Sequence, residues 1–175
     1  LTELMLLALA IIPALRRRWP LREVFPMKIP SLAQVFGVLV LWLASYVAVY
    51  VTTVSLYYLF PAGMGALSTG LAEFFTSVPM PLALFIAAVM PAVCEEFLHR
   101  GLIQYTFKGK SKWVTVLSMG FIFGLFHLDM FRFLGSAILG GVLAYIMWET
   151  KNLLLPILLH FVNNAVSTSI GFVTQ

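Results

Sequence analysis

Residues 85–107 read FIAAVMPAVCEEFLHRGLIQYTF, an apolar stretch that carries two carboxylates, a histidine and an arginine within six positions. The stretch is long enough for a membrane-spanning helix, which needs about 20 mainly apolar residues. A charged side chain at the centre of such a helix costs about 2.5–3.5 kcal/mol on insertion scales. These charged groups must therefore face protein or a water-filled cavity instead of lipid.

The composition of the whole chain indicates a membrane protein. Hydrophobic residues make up 61% of the 175 positions and charged residues 10%, whereas a soluble domain carries about 25% charged residues. The net charge of +4 does not indicate a nucleic-acid partner, because the basic residues follow the loops and form no stripe. We therefore predict an integral membrane protein with the lipid bilayer as its main surroundings.

Apolar segments predict an all-α fold, a polytopic transmembrane helix bundle of about six spans. They lie at about 1–15, 32–60, 81–107, 113–128, 133–148 and 153–173. Prolines and glycines between positions 61 and 81 predict a long connection after the second span, with a short interfacial helix at LAEFFTSV. The chain begins with Leu1 instead of Met, which is consistent with truncation upstream and a shortened first helix.

The distribution of Lys and Arg predicts the orientation of the bundle. Nine of the eleven basic residues lie in three alternate loops, and the other two are Arg132 and the intramembrane Arg100. Because loops rich in Lys and Arg stay on the cytosolic side, we predict cytosolic positions for loops 16–31, 108–112 and 149–152. The expected location is the cell membrane.

Helical spacing predicts how the charged groups at 95–100 are arranged. Glu96 and Arg100 are four residues apart with the acid first, which favours an ion pair on one helix face. Glu95 lies about 100° round the helix from Glu96 and shares its face with His99. The pair can neutralise itself, so Glu95 remains as the carboxylate without a partner, which suits a general base. We expect His99 to form an interhelical hydrogen bond.

Polar groups on two other predicted spans lie at a similar depth. His127 is near the end of the fourth span, and His160 and Asn164 share one face of the sixth. A rise of about 1.5 Å per residue, counted from the nearest loop lysine, places Glu95, His127 and Asn164 roughly 20 Å along their helices. Carboxylate, imidazole and amide groups at one level inside a bilayer indicate a catalytic site.

Three short motifs then resemble one protein family. EEFLHR (95–100) fits Glu-Glu-x-x-x-Arg, FGLFH (123–127) fits Phe-x-x-x-His, and HFVNN (160–164) fits His-x-x-x-Asn. In this order and spacing they resemble the CPBP (Abi) family of intramembrane proteases, which includes the type II CAAX prenyl endopeptidases and bacteriocin-processing proteins. The resemblance implies a catalytic helix core at 81–175, preceded by N-terminal membrane helices and a connecting loop at 1–80.

The resemblance also implies hydrolysis of peptide bonds by a glutamate-activated water. Glu95 would accept the proton of the water and His127 would help to hold that water. His160 and Asn164 would stabilise the oxyanion, a contribution of about 2.7–4 kcal/mol for one donor. The expected substrate is a membrane-embedded or lipidated peptide.

Cofactor use is left open by the sequence. We expect no required cofactor, with Glu96 and Arg100 as a structural ion pair. The alternative is zinc, since two histidines and a carboxylate can bind it, and its ligands would then be Glu95, His127 and His160. There is no HExxH motif in the chain.

Two other functions compete with proteolysis. One is a non-catalytic membrane scaffold of the same fold, acting in bacteriocin self-immunity or in regulation of a sensor. The other is a small transporter with a proton-carrying acid, against which the absence of an inverted sequence repeat argues. The complete set of polar motifs favours the protease over the scaffold.

Overall fold

The backbone of the computed structural model is all-α, as the apolar segments predict. The structure describes residues 1–173, apart from the side chains at positions 71 and 74–76, and no strand occurs within that range. The helices are α1 (Thr2–Arg16), α2 (Leu21–Val24), α3 (Leu32–Leu59), α4 (Pro61–Ser77), α5 (Met80–Thr106), α6 (Lys112–Phe126), α7 (Met130–Thr150) and α8 (Leu154–Val173). Each of the six predicted apolar segments forms a helix.

Four of these helices are long and apolar enough to cross a membrane, judged by length and composition. They are α3, α5, α7 and α8, with 28, 27, 21 and 20 residues. The other two predicted spans, α1 and α6, have 15 residues each. Because 15 residues of helix extend about 22 Å, both are shorter than the hydrocarbon core of about 30 Å. The prediction of about six spans is thus met only roughly.

The predicted connection between the second and third spans is not a loop, so this part of the prediction was wrong. Helix α4 occupies nearly all of it, whereas only its last part was expected to be helical. Pro61 stands in the first turn, where a proline costs no hydrogen bond, and Pro79 follows the end. Gly63 lies against the ring of Phe131, where a Cβ atom would clash. Gly63 is therefore a site of close helix packing. In the sequence alone, a glycine of this kind cannot be distinguished from one that marks a turn.

Close packing through glycine joins α6 to α7. A Cβ atom on Gly120 would lie 2.7 Å from the carbonyl oxygen of Ala137, and one on Gly124 would lie 2.8 Å from that of Phe133. The small side chains let the two backbones approach, as small-xxx-small spacing predicts. Helix α6 is thereby held firmly against α7, with its C-terminal residues over the middle of the bundle.

Two apolar clusters fix the remaining helices. One joins α1 and the loop after it to α5 and includes Leu6, Ala10, Phe25 and Leu98. The other joins α3, α7 and α8 and includes residues such as Val38, Leu143 and Leu159. Helix α5 lies between these clusters and contacts α1 on one side and α8 on the other. The charged residues at 95–100 are consequently enclosed by protein.

Polar contacts between loops define one end of the bundle. The side chain of Asn152 accepts from the backbone N–H of Lys28 at 3.1 Å and donates to its carbonyl oxygen at 2.8 Å. The ammonium group of Lys108 donates to the carboxylate of Glu23 at 3.0 Å. We call this end the basic end, because it carries the loops at 16–31, 108–112 and 149–152.

Candidate active site

Helix α5 carries the acidic residues and does not follow regular α geometry throughout. Two π-helical stretches, Phe85–Val89 and Phe97–Ile103, flank an α-helical segment at Met90–Glu96. Such wide turns occur frequently at functional sites. Glu95 and Glu96 close the central segment, whereas His99 and Arg100 lie in the second wide turn.

Glu96 lies at the centre of a buried polar cluster. Its Oε1 accepts hydrogen bonds from Nη1 of Arg100 and from Nδ1 of His160, each at 2.9 Å. Glu96 is 0% exposed, Arg100 1% and His160 3%. The carboxylate is therefore shared between its own helix and α8, and it holds the imidazole in one orientation.

Arg100 extends this cluster to α7. Its Nη2 donates to the carbonyl oxygen of Gly140 at 2.9 Å, and its guanidinium lies 4.5 Å above the ring of Phe123. The same glycine packs against the Phe123 side chain, where a Cβ atom would be 2.6 Å away. The ion pair with Glu96 is thus anchored on three helices.

Phe123 is the apolar centre around which the histidines are grouped. The rings of His99, His127 and His160 contact it edge-on, with centroid distances of 5.0, 5.1 and 5.7 Å. Edge-to-face pairs at this distance are favourable. The two predicted site histidines, His127 on α6 and His160 on α8, are brought to the same ring. The sequence analysis did not predict that Phe123 would contact all three histidines. It identified Phe123 only as the first residue of the Phe-x-x-x-His motif.

The partners of His127 and His160 determine which ring nitrogen is free. Nδ1 of His127 lies 2.9 Å from the carbonyl oxygen of Phe123, and Nδ1 of His160 lies 2.9 Å from the Glu96 carboxylate. Since oxygen accepts in both contacts, Nδ1 carries a proton in each ring. Nε2 is then the nitrogen that each histidine can offer to a water molecule or a substrate.

Glu95 differs from its neighbour in having no such partners. The side chain is 9% exposed, and its Oε2 is buried without a hydrogen-bond partner in the part of the chain that the structure describes. His160 lies within electrostatic range, but no hydrogen bond between described residues joins the Glu95 carboxylate to His127, His160 or Asn164. The structure therefore places Glu95 beside the Glu96 cluster without a bond to it.

Glu3 on α1 is a further carboxylate near this position. It interacts electrostatically with Glu95 and His160, and its Oε2 is likewise buried without a partner among the described side chains. The sequence reasoning missed it because α1 carries none of the three motifs. Glu3 could have been found in the same way as Glu95, because both are acidic residues inside an apolar helical segment.

Asn164 binds the backbone of α5 rather than the acidic residues. Its Nδ2 donates to the carbonyl oxygen of Ala87 at 3.1 Å, and its Oδ1 accepts from Asn163 at 3.2 Å. Pro91, four residues after Ala87, has no backbone N–H and leaves that carbonyl without its usual helical partner. The proline in α5 thereby provides the acceptor that positions Asn164.

His99 does not form the interhelical hydrogen bond that the sequence analysis expected. Its Nδ1 donates to the backbone carbonyl oxygen of Glu95 at 2.9 Å, within the same helix. His127 makes the same kind of bond four residues back on α6, and the ring of His99 packs in edge-on contact with Phe123 and Phe126. Its Nε2 is buried and has no partner within residues 1–173.

The zinc alternative finds no assembled ligand set in this structure. Among the described residues, no group of three or more His, Cys, Asp or Glu side chains is arranged to hold a metal ion. In both predicted zinc-binding histidines Nδ1 is committed to an oxygen, of the Glu96 carboxylate for His160 and of the α6 backbone for His127, and Nε2 is free.

Comparison with known proteins identifies the family. The family model described as type II CAAX prenyl endopeptidase Rce1-like matches residues 76–166. No curated protein and no solved structure gives a significant match. The matched range contains α5, α6, α7, the first part of α8 and all three motifs. It corresponds to the CAAX branch of the resemblance noted above. With the buried polar cluster inside a membrane helix bundle, this match shows that the chain belongs to the type II CAAX prenyl endopeptidase Rce1-like family.

Proposed function

We propose that the protein is an intramembrane endopeptidase that hydrolyses peptide bonds of membrane-embedded or lipidated peptides with a water molecule activated by Glu95. The observation that carries this proposal is the contrast between the two adjacent acids. Oε1 of Glu96 accepts hydrogen bonds from Arg100 and His160, whereas no described cation or imidazole is bonded to the Glu95 carboxylate. Oε2 is buried and without a described partner in both acids. A carboxylate held dry and unpaired is prepared to accept a proton.

The first step is attack by water. Glu95 takes one proton of the water, and the lone pair on Nε2 of His127 accepts a hydrogen bond from the other. His127 suits this role because its Nδ1–H is committed to the Phe123 carbonyl oxygen, which leaves Nε2 as an acceptor. The resulting hydroxide adds to the scissile carbonyl carbon, and the carbonyl oxygen becomes an oxyanion.

The oxyanion is stabilised by donors on α8. Asn164 gives one amide hydrogen to Ala87, so its second amide hydrogen is available to the oxyanion. Glu96 orients the His160 ring through Nδ1, and the ring donates from Nε2 in its imidazolium form. Such donors in a water-poor site contribute about 2.7–4 kcal/mol each. Glu95 then returns its proton to the amine that leaves.

The proposed substrate class follows from the surroundings and the family. The polar cluster is enclosed by membrane helices, so a substrate must reach it from the bilayer or from the membrane surface. The family description names prenyl endopeptidases of CAAX peptides, and a lipidated peptide fits that description. We propose that no metal is required.

The test compares peptides from cells that express the wild type, Glu95→Gln or Glu149→Gln. Both substitutions are nearly isosteric, but Glu149 lies in the last turn of α7 and binds Lys112 at the surface. Mass spectrometry of membrane and secreted peptides should show fragments that disappear only in Glu95→Gln at equal protein levels. Identical profiles in all three strains would overturn the protease and favour the non-catalytic scaffold.

A further inference from the structure

A cavity opens at the basic end, and Glu95 is not among its lining residues. It has a volume of about 370 Å³ and lies between the loop after α1, the last turns of α5 and the end of α7. Pockets for small ligands usually measure about 300–1,000 Å³. Tyr105 and Trp148 are among its lining residues, and aromatic residues of this kind are enriched where a membrane meets water. Together with the basic loops around it, these residues suit a cavity at the level of lipid headgroups.

The rim of this cavity is strongly basic. Arg22, Lys28, Lys108 and Lys151 line it, and Glu23 is the acid among the lining residues. Glu23 is bound by Lys108, so three cations remain around the opening without an acid from the cavity wall. An anion that enters this opening is attracted from several sides.

The floor of the cavity contains buried polar atoms without partners. Arg100 is 1% exposed and its Nε is unpaired, and Gln104 is 8% exposed and its Oε1 is unpaired, considering the described residues. Gln104 uses its Nε2 to donate to the carbonyl oxygen of Ala144 at 3.0 Å. Buried groups of this kind are normally satisfied by a partner. Both atoms have almost no accessible surface, so a ligand in the cavity meets the rim cations rather than these two atoms.

The walls of the cavity are apolar. Val24, Pro26, Phe107 and Met147 line it between the rim and the floor. A free phosphate ion would gain nothing from these side chains, whereas the glycerol and first methylene groups of a lipid would pack on them. Basic pockets beside transmembrane helices are a known type of site for anionic headgroups.

We infer that this cavity binds the headgroup of an anionic phospholipid, with the phosphate among the rim cations Arg22, Lys28 and Lys151 and the glycerol along the apolar wall. The lipid would lie next to the buried Arg100, which also lines the cavity and holds Glu96. The lipid is then a partner of the fold, whatever reaction the site performs.

The experiment measures lipid binding by the full chain in detergent, using native mass spectrometry titrations. The probes are phosphatidylglycerol, zwitterionic phosphatidylcholine and water-soluble glycerol 3-phosphate. Lys28→Gln/Lys151→Gln removes two rim cations, and Arg18→Gln/Lys110→Gln removes two basic-end cations that do not line the cavity. The pairs are matched, since each contains one residue with positive φ, Lys151 at 48° and Arg18 at 54°.

We expect one tightly bound phosphatidylglycerol in the wild type and in Arg18→Gln/Lys110→Gln. Its Kd should rise about thirtyfold in Lys28→Gln/Lys151→Gln, at about 1 kcal/mol for each basic group lost. Unchanged unfolding temperatures without lipid would show that both variants fold. Equal losses in the two double variants, or equal binding of phosphatidylcholine, would overturn the site. If glycerol 3-phosphate binds as tightly as the lipid, the proposal of a lipid headgroup is overturned and the ligand is a free phosphate compound. No readout involves proteolysis, so the result is independent of the proposed function.

Discussion

At the scale of single residues, two adjacent acids on α5 have opposite surroundings. Oε1 of Glu96 accepts hydrogen bonds from Arg100 and His160, while no described cation or imidazole is bonded to Glu95. A carboxylate held by a cation is stabilised in its charged form and is a poor proton acceptor. The division of labour that we propose, between a structural Glu96 and a reactive Glu95, therefore rests on their partners, since the two residues are chemically identical.

Replacing Glu95 should separate activity from stability. Glu95→Gln removes the proposed base, so we expect a loss of peptidase activity of about 100-fold or more. The unfolding temperature should stay unchanged or rise, because the substitution removes a buried carboxylate whose Oε2 makes no described hydrogen bond. Thermal unfolding in detergent and a peptide-cleavage assay measure the two effects. A large fall in the unfolding temperature would assign Glu95 a structural role instead.

Breaking the Glu96–Arg100 pair should lower the stability of the protein, in contrast to the replacement of Glu95. Glu96→Leu leaves Arg100 buried without its carboxylate, and we expect a loss of about 3–5 kcal/mol in the free energy of unfolding. Glu96→Leu/Arg100→Met removes both charges and should recover most of that loss, because apolar replacements of buried pairs are often neutral. Chemical unfolding in mixed micelles compares the variants. A double variant no more stable than the single one would mean that Arg100 is held mainly by Gly140.

Sequence spacing explains only part of this residue-scale picture. The contact between Glu96 and Arg100 joins positions four apart on one helix, a relation that helical geometry dictates. The contact between Glu96 and His160 joins α5 to α8 across 64 positions. No local pattern encodes such a contact, because it depends on how the helices pack. For the same reason, spacing did not reveal the place of Phe123 among the histidines.

At the scale of elements, helix positions could be predicted but their irregularities could not. Apolar length was sufficient to locate α5, whereas its two π-helical stretches lack a simple sequence signal. The connection at 61–80 was misread because glycine marks both turns and close packing, and here Gly63 packs against Phe131. Composition thus predicts that a segment is helical inside a membrane, while neighbouring helices determine its local form.

Two glycines of similar appearance should respond differently to the same change. Gly120→Ala forces a Cβ atom to within 2.7 Å of the carbonyl oxygen of Ala137, so we expect α6 and α7 to move apart at a loss of about 1–3 kcal/mol. Gly37→Ala on α3 meets nothing within 4 Å and should be neutral or gain up to about 1 kcal/mol through helix propensity. Thermal unfolding of both variants is the measurement. Equal effects would show that α6 and α7 can readjust without loss.

At the scale of the whole molecule, the three loops of the basic end share an excess of positive charge and also contact one another. Lys and Arg predict that its loops share one side of the membrane, and the structure joins Lys28 to Asn152 and Lys108 to Glu23 across them. Charge patterning thus anticipated which loops lie together. Charge patterning does not show how deep in the membrane the turn between α6 and α7 lies. That depth is in question because α6 has only 15 residues.

The depth of that opposite turn can be tested with single cysteines in a Cys94→Ala background. Lys110→Cys, at the basic end, should react with a membrane-impermeant maleimide only from the cytosolic side, as the excess of basic residues there predicts. Met130→Cys follows α6 and is 74% exposed in the isolated protein. If α6 crosses the bilayer with local thinning, this cysteine should react only from the other side. Labelling from neither side would place the turn within the hydrocarbon core and reduce the complete spans below six. Labelling of both cysteines from one side would show that α6 does not cross the bilayer, and labelling of Lys110→Cys from the outside would contradict the predicted orientation.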